Sequence, residues 1–159
     1  MARRDAGPAA QAGKILVIED SPSARRLLQD ILLRLGAELP NLRVAGTVLD
    51  GLTLFTQWRP DVAFIDLELR PGATNGLPTD TPAPSPRDPK DGAELAELFL
   101  ARNTGVRVIV CSASDPSDPR VARLVSDGKV EFIMKPLLAG RVEELLARGK
   151  TGAPIRPRS

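Results

Sequence analysis

Residues 14–28 read KILVIEDSPSARRLL, and the fold is decided there. Ile15, Leu16, Val17 and Ile18 form a short apolar run rich in β-branched residues that stops at Glu19-Asp20. Such a run, without polar alternation, reads as a strand buried on both faces. Ser21-Pro22 then supplies an N-cap and a proline at the first helical position. Leu27, Leu28, Ile31, Leu32 and Leu35 recur at helical spacing, and Gly36 ends the helix.

Outward from this unit the alternation repeats. Leu42 to Val48 alternates as a second strand, and Gly51 to Trp58 reads as a short helix closed by Pro60. Val62-Ala63-Phe64-Ile65 is a third strand ending at Asp66. Asp91-Gly92-Ala93-Glu94 has the form of a capping box, and the third helix after it buries Leu95, Leu98 and Phe99. Val106 to Val110 is the fourth strand, and Asp118-Pro119 opens a fourth helix that ends at Gly128. Val130 to Met134 is the fifth strand, stopped by Lys135-Pro136, and Arg141 to Arg148 is a last, fifth helix. Five strands alternating with five helices predict a doubly wound, flavodoxin-like α/β domain. Its parallel sheet has order 2-1-3-4-5, with helices on both faces.

Pro71 to Lys90 breaks the rhythm: six prolines stand among Gly, Thr, Ser, Asp and Asn, with no period. This predicts an inserted, extended or disordered loop after the third strand. The domain is then residues 14–148, with the 71–90 insertion, between a disordered basic tail at 1–13 and another basic tail at 149–159. The chain of 159 residues carries a net charge of +2, which resides in the two ends; the body is slightly acidic. With one cysteine, Cys111, the chain can form no internal disulfide. It has no histidine, so histidine triads, histidine zinc sites and histidine-to-histidine phosphotransfer are beyond this chain alone. No apolar run approaches a membrane span and no secretory signal opens the chain, which points to the cytoplasm.

The unusual side chains collect at the carboxyl ends of strands: Glu19 and Asp20 after the first, Asp66 after the third, Ser112 after the fourth, Lys135 after the fifth. In a doubly wound sheet that edge is where sites form. Three converging carboxylates repel one another and need a cation, and an all-oxygen set suits Mg2+ or Mn2+. A hard ion with open positions, a lysine and a hydroxyl make a site for phosphate oxygens, with a carboxylate as nucleophile. Asp66 is the best placed. Taken singly, each residue reads as structural: a turn or cap carboxylate, a loop hydroxyl, a solvated lysine. Only the conjunction points to chemistry.

These residues resemble those of a response-regulator receiver domain of two-component signalling, in the CheY-like superfamily. The matching pieces are KILVIEDSPSARRLL (14–28), RPDVAFIDLEL (59–69), DGAELAELF (91–99), VIVCSAS (108–114) and EFIMKP (131–136). The resemblance implies that Asp66 accepts a phosphoryl group from a sensor histidine kinase or a histidine phosphotransfer protein. Glu19, Asp20, Asp66 and the backbone carbonyl of Glu68 would hold Mg2+, Ser112 would bond a phosphoryl oxygen, and Lys135 would pair with its charge. Phe132 occupies the aromatic switch position, and reads equally well as a core residue of the fifth strand. Such a protein catalyses only its own phosphorylation and dephosphorylation. It signals to a downstream protein effector through the face made by the fourth strand, fourth helix, fifth strand and fifth helix, and such domains also form homodimers through the fourth helix, fifth strand and fifth helix. With neither a DNA-binding nor an enzymatic domain after the last helix, a stand-alone receiver is expected.

The sequence departs from the family in two places besides. Asp66 lies far upstream of Asp91-Gly92, and Arg70 stands where a proline is usual, with Pro71 next. Two other readings compete. One is a pseudo-receiver, an interaction module that works without phosphorylation. The other is a metal-dependent phosphoryl-transfer enzyme: a Toprim type leaves Ser112 and Lys135-Pro136 without a role, and a haloacid-dehalogenase type wants an acidic pair on the first strand, with a second aspartate two residues on, that Glu19-Asp20-Ser21 does not supply.

Overall fold

The computed structural model describes residues 7–69, 89–103, 105–115, 117–126 and 128–148. Apart from Pro89 and Lys90, the predicted insertion lies outside the described residues, as do 1–6 and the tail at 149–159.

Apolar runs flanked by caps and breakers give helix α1 (Pro8–Gln11), strand β1 (Ile15–Ile18), helix α2 (Pro22–Arg34), strand β2 (Leu42–Ala45) and helix α3 (Val48–Trp58). There follow strand β3 (Val62–Asp66), helix α4 (Gly92–Arg102), strand β4 (Arg107–Ser112), helix α5 (Pro119–Val125), strand β5 (Val130–Met134) and helix α6 (Ala139–Ala147). The five strands form one parallel sheet in the order β2-β1-β3-β4-β5, as predicted. The order reverses between β1 and β3, where Ile18 lies beside Ile65, so Glu19 and Asp66 leave the sheet side by side.

Strand residues alternate between two apolar layers. Leu16, Ile18, Ala63, Ile65, Val108 and Val110 face one, filled by Phe55 of α3, Leu95 and Phe99 of α4, and Val121 and Leu124 of α5. Ile15, Val17, Val62, Phe64, Ile109 and Cys111 face the other, filled by Leu28, Ile31 and Leu32 of α2 and by Val142, Leu145 and Leu146 of α6. The rings of Phe55 and Phe99 stack between α3 and α4 with centroids 3.8 Å apart. At the amino end of β4, Arg107 forks onto both carboxylate oxygens of Glu131, at 2.5 and 2.6 Å, and also donates to the carbonyl of Leu145. One guanidinium thus ties β4, β5 and α6 together.

Where the boundaries differ from those predicted, a local interaction explains why. β2 ends at Ala45 rather than running to Val48, because the Thr47 hydroxyl accepts the Asp50 N–H at 3.0 Å and starts α3 early. Gly51 then falls inside α3 against Ile18, where a Cβ would come within 2.6 Å of the Ile18 side chain. β4 continues through Cys111 to Ser112, carried by its pairing with Ile133 and Met134 of β5. The N-terminal segment corrects the expectation of a disordered tail for residues 7–13. Pro8–Gln11 makes a helical turn, Ala9 is fully buried, and its N–H donates to the Leu35 carbonyl at 3.1 Å. A small side chain there lets the turn sit against the end of α2 and against α6, and its alanines carry no periodic signal in the sequence.

Gly92 fixes how closely α4 approaches the end of β3. A Cβ at this position would lie 2.0 Å from the Asp66 carbonyl oxygen, a backbone atom that cannot swing away. Gly92→Ala is therefore expected to lower the melting temperature by about 5–10 °C, the size of an overpacking strain of about 2–3 kcal/mol in a domain of this length. Thermal unfolding followed by circular dichroism checks it; an unchanged melting temperature would show that α4 does not press on β3.

Candidate functional site

Glu19, Asp20, Asp66, Ser112 and Lys135 lie where their strands end, while Phe132 lies in the middle of β5. Glu19 is the first residue beyond β1 and is buried; Asp20 beside it is exposed. Asp66 closes β3 and is 3% exposed. Carboxylate oxygens of Glu19, Asp20 and Asp66 lie within 4.8 Å of one another. Ser112 closes β4 and is fully buried, and Lys135 follows β5.

Lys135 is the counter-charge of the cluster. Its Nζ lies 3.0 Å from Glu19 Oε2 and 3.3 Å from Asp66 Oδ1. Its backbone N–H donates to the Ser112 carbonyl at 2.8 Å, so the ladder between β4 and β5 aims the side chain across the sheet edge. The Lys135-Pro136 peptide is cis. Burial pushes the Glu19 carboxyl above its ordinary range; the Lys135 hydrogen bond opposes this, and the Asp66 charge adds to it. For Lys135 burial works against the ammonium, yet the Glu19 hydrogen bond and the charges of Asp66 and Glu19 together outweigh it, and its pKa is raised. Burial likewise pushes the Cys111 thiol far up, which leaves it an inert core residue.

The β3 terminus is held by its own turn. The Glu68 N–H donates to Asp66 Oδ1 at 3.0 Å, and the Leu67 N–H to the Cys111 carbonyl at 2.8 Å. Sequence reasoning gave Glu68 only a backbone role, but its side chain takes part too. Glu68 Oε1 accepts the Ser112 hydroxyl at 3.0 Å and the Ser114 hydroxyl at 3.3 Å. Ser114 was not singled out, although it stands two residues beyond Ser112, where the Ser112 hydroxyl accepts its N–H at 2.9 Å. Arg25 was missed as well: its Nη1 donates to the Glu19 carbonyl at 3.1 Å, one helical turn beyond the Ser21 cap. Phe132 is half-buried, packed against the α5 layer and lining a groove with Val121, Ala122, Val125 and Ser126. Arg70 lies outside the described residues.

The donor set suits a hard divalent cation: carboxylate oxygens, with neither histidine nor thiolate among them. Lys135 and Ser112 both stand at the cluster, the placement that a Toprim-like reading leaves unused.

The sheet order and the strand-end constellation are similar to those of CheY-like response-regulator receiver domains, and the similarity extends to the sequence. The chain is 23% identical over 135 residues to the chemotaxis protein CheY of Listeria monocytogenes, covering 85% of this chain and 96% of that one. A receiver domain from Methanospirillum hungatei superposes with a TM-score of 0.62 at 19% identity, covering 86% and 94% of the two chains. CheY of Borrelia burgdorferi, in a complex with CheX, BeF3 and Mg2+, gives 0.65 at 18% identity, covering 86% and 87%. No family model matches the chain. Among the described residues no helix is long and apolar enough to cross a membrane.

Two outcomes follow from the charge balance. Saturating Mg2+, at about 100 times its dissociation constant, is expected to raise the melting temperature by about 5–10 °C, and Asp20→Asn should remove most of that rise. Calorimetry with and without chelator measures it, and equal shifts in both proteins would place the ion elsewhere. Without metal, Lys135→Met leaves two buried carboxylates uncompensated and should cost about 2–3 kcal/mol at pH 7. Because the Glu19 pKa is raised on folding, its unfavourable charge is present above its ordinary value of 4.5 and disappears below it. The deficit of the variant should therefore shrink as the pH falls through that range, as urea titrations at several pH values would show.

Proposed function

We propose that this receiver domain is switched by phosphorylation of Asp66, with the phosphoryl group drawn from a phosphohistidine on a sensor kinase or a histidine phosphotransfer protein. The observation that carries the reading is the Lys135 ammonium placed between Glu19 and Asp66 at the mouth of the acidic cluster. An Asp66 carboxylate oxygen attacks phosphorus, the bond to the donor nitrogen breaks, and an acyl phosphate forms. The transfer calls for positioning and charge neutralisation more than for a strong base, so a chain without histidine is equipped for it. Glu19, Asp20, Asp66 and the Glu68 carbonyl would hold Mg2+, which supplies charge neutralisation between the carboxylates and the incoming phosphoryl oxygens. Lys135 orients Asp66 and pairs with the phosphoryl charge, and Ser112 donates its hydroxyl to a phosphoryl oxygen.

The acyl phosphate carries about −1.5 to −2 charge in place of the single charge of the Asp66 carboxylate, beside Ser112 at the end of β4 and Lys135 just beyond β5. Drawing these two toward it repacks β4, α5, β5 and α6, including the half-buried Phe132. The altered face is what a protein effector reads, with the chain working in the cytoplasm.

Acetyl phosphate with Mg2+ is expected to add one phosphoryl group to the wild-type chain and none to Asp66→Asn, as read by intact mass. Equal labelling of both would remove Asp66 as the acceptor, and labelling of neither would favour a receiver that works without phosphorylation.

A further inference from the structure

Resting on the phosphoacceptor reading, we infer that the Glu68 carboxylate is a latch that keeps the switch serine, Ser112, from serving the phosphoryl group until charge arrives on Asp66. A serine hydroxyl has one proton to donate. Here that proton goes to Glu68 Oε1, at 3.0 Å. One lone pair of Ser112 Oγ is also engaged, accepting the Ser114 N–H at 2.9 Å. Ser112 is fully buried, so its hydroxyl has no bulk water to turn to. Donation to a phosphoryl oxygen therefore requires that the bond to Glu68 break.

The latch has two anchors, because the same Glu68 oxygen accepts the Ser114 hydroxyl at 3.3 Å. It also has a built-in release. The Glu68 N–H donates to Asp66 Oδ1 at 3.0 Å, so Glu68 is tethered to the acceptor itself. A dianionic phosphoryl group on Asp66 repels the neighbouring carboxylate, and Glu68, whose residue surface is exposed, can move into solvent where its charge is readily hydrated. Ser112 and Ser114 are freed in one event. Glu68 is in this sense a positioning residue: it sets the resting orientation of the serine and the affinity of the site for a phosphoryl oxygen.

The test is a titration of the full chain with beryllofluoride at saturating Mg2+, followed through the backbone amides of Ser112, Ser114 and Lys135. Glu68→Ala, a change at an exposed position, is expected to tighten beryllofluoride binding about five- to tenfold, the loss of a competing charge-assisted hydrogen bond. Ser114→Ala, which removes one anchor, should tighten it by a smaller factor. The serine dependence separates a latch from bare charge repulsion. In a Ser112→Ala background, Glu68→Ala should bring a gain of about twofold or less. The same gain in both backgrounds, or none in the first, overturns the latch while the phosphoacceptor reading stands. Binding by Glu68→Ala alone supports both. If none of the proteins responds, the phosphoacceptor reading fails and the latch with it.

Discussion

The ammonium of Lys135, shared between Glu19 and Asp66, is the interaction on which the molecule turns. It joins the carboxyl ends of β1 and β3, which are neighbours in the sheet, to that of β5, which β4 separates from them. Two buried carboxylates side by side would repel in a medium where charge is poorly screened. One cation bound to both makes the cluster tolerable without neutralising it. The remaining negative charge is what an ion or a phosphoryl transfer can use, so stability and reactivity draw on the same three side chains.

Much of this was legible in the sequence because the physics involved is local. Ile15–Ile18 and Val62–Ile65 are short, uninterrupted apolar runs that read as buried strands, and Ser21 and Asp91 cap their helices with their own side chains. The sheet order, and with it the convergence of Glu19, Asp20 and Asp66, follows from alternation and handedness. Side-chain partnerships across strands do not. Glu68 meeting Ser112 and Ser114 depends on rotamers and on where β4 ends, which periodicity does not report. The turn Pro8–Gln11 escaped notice for a related reason: Ala9 is buried against a helix end far along the chain, and alanine in a short segment carries no pattern.

The site is also unevenly built. On the Glu19 side, contacts to Lys135 and Arg25 hold the carboxyl end of β1 to α2 and β5. On the Ser112 side the contacts run through one exposed glutamate. Asp66 thus sits between a firm wall and a yielding one, and the yielding wall belongs to β4, next to the elements proposed to carry the signal outward.

At the opposite end of β4 the Arg107 fork grips Glu131 and the Leu145 carbonyl. β4, β5 and α6 are therefore pinned together at one end while their other end borders the cleft. Arg107 and Ser112 stand at the two ends of β4, five residue steps and roughly 17 Å of extended chain apart. A body fixed at one end and pushed at the other pivots rather than slides. Small displacements at the cleft would fan out across the face of β5 and α6 in proportion to distance from the guanidinium, giving the domain a built-in fulcrum.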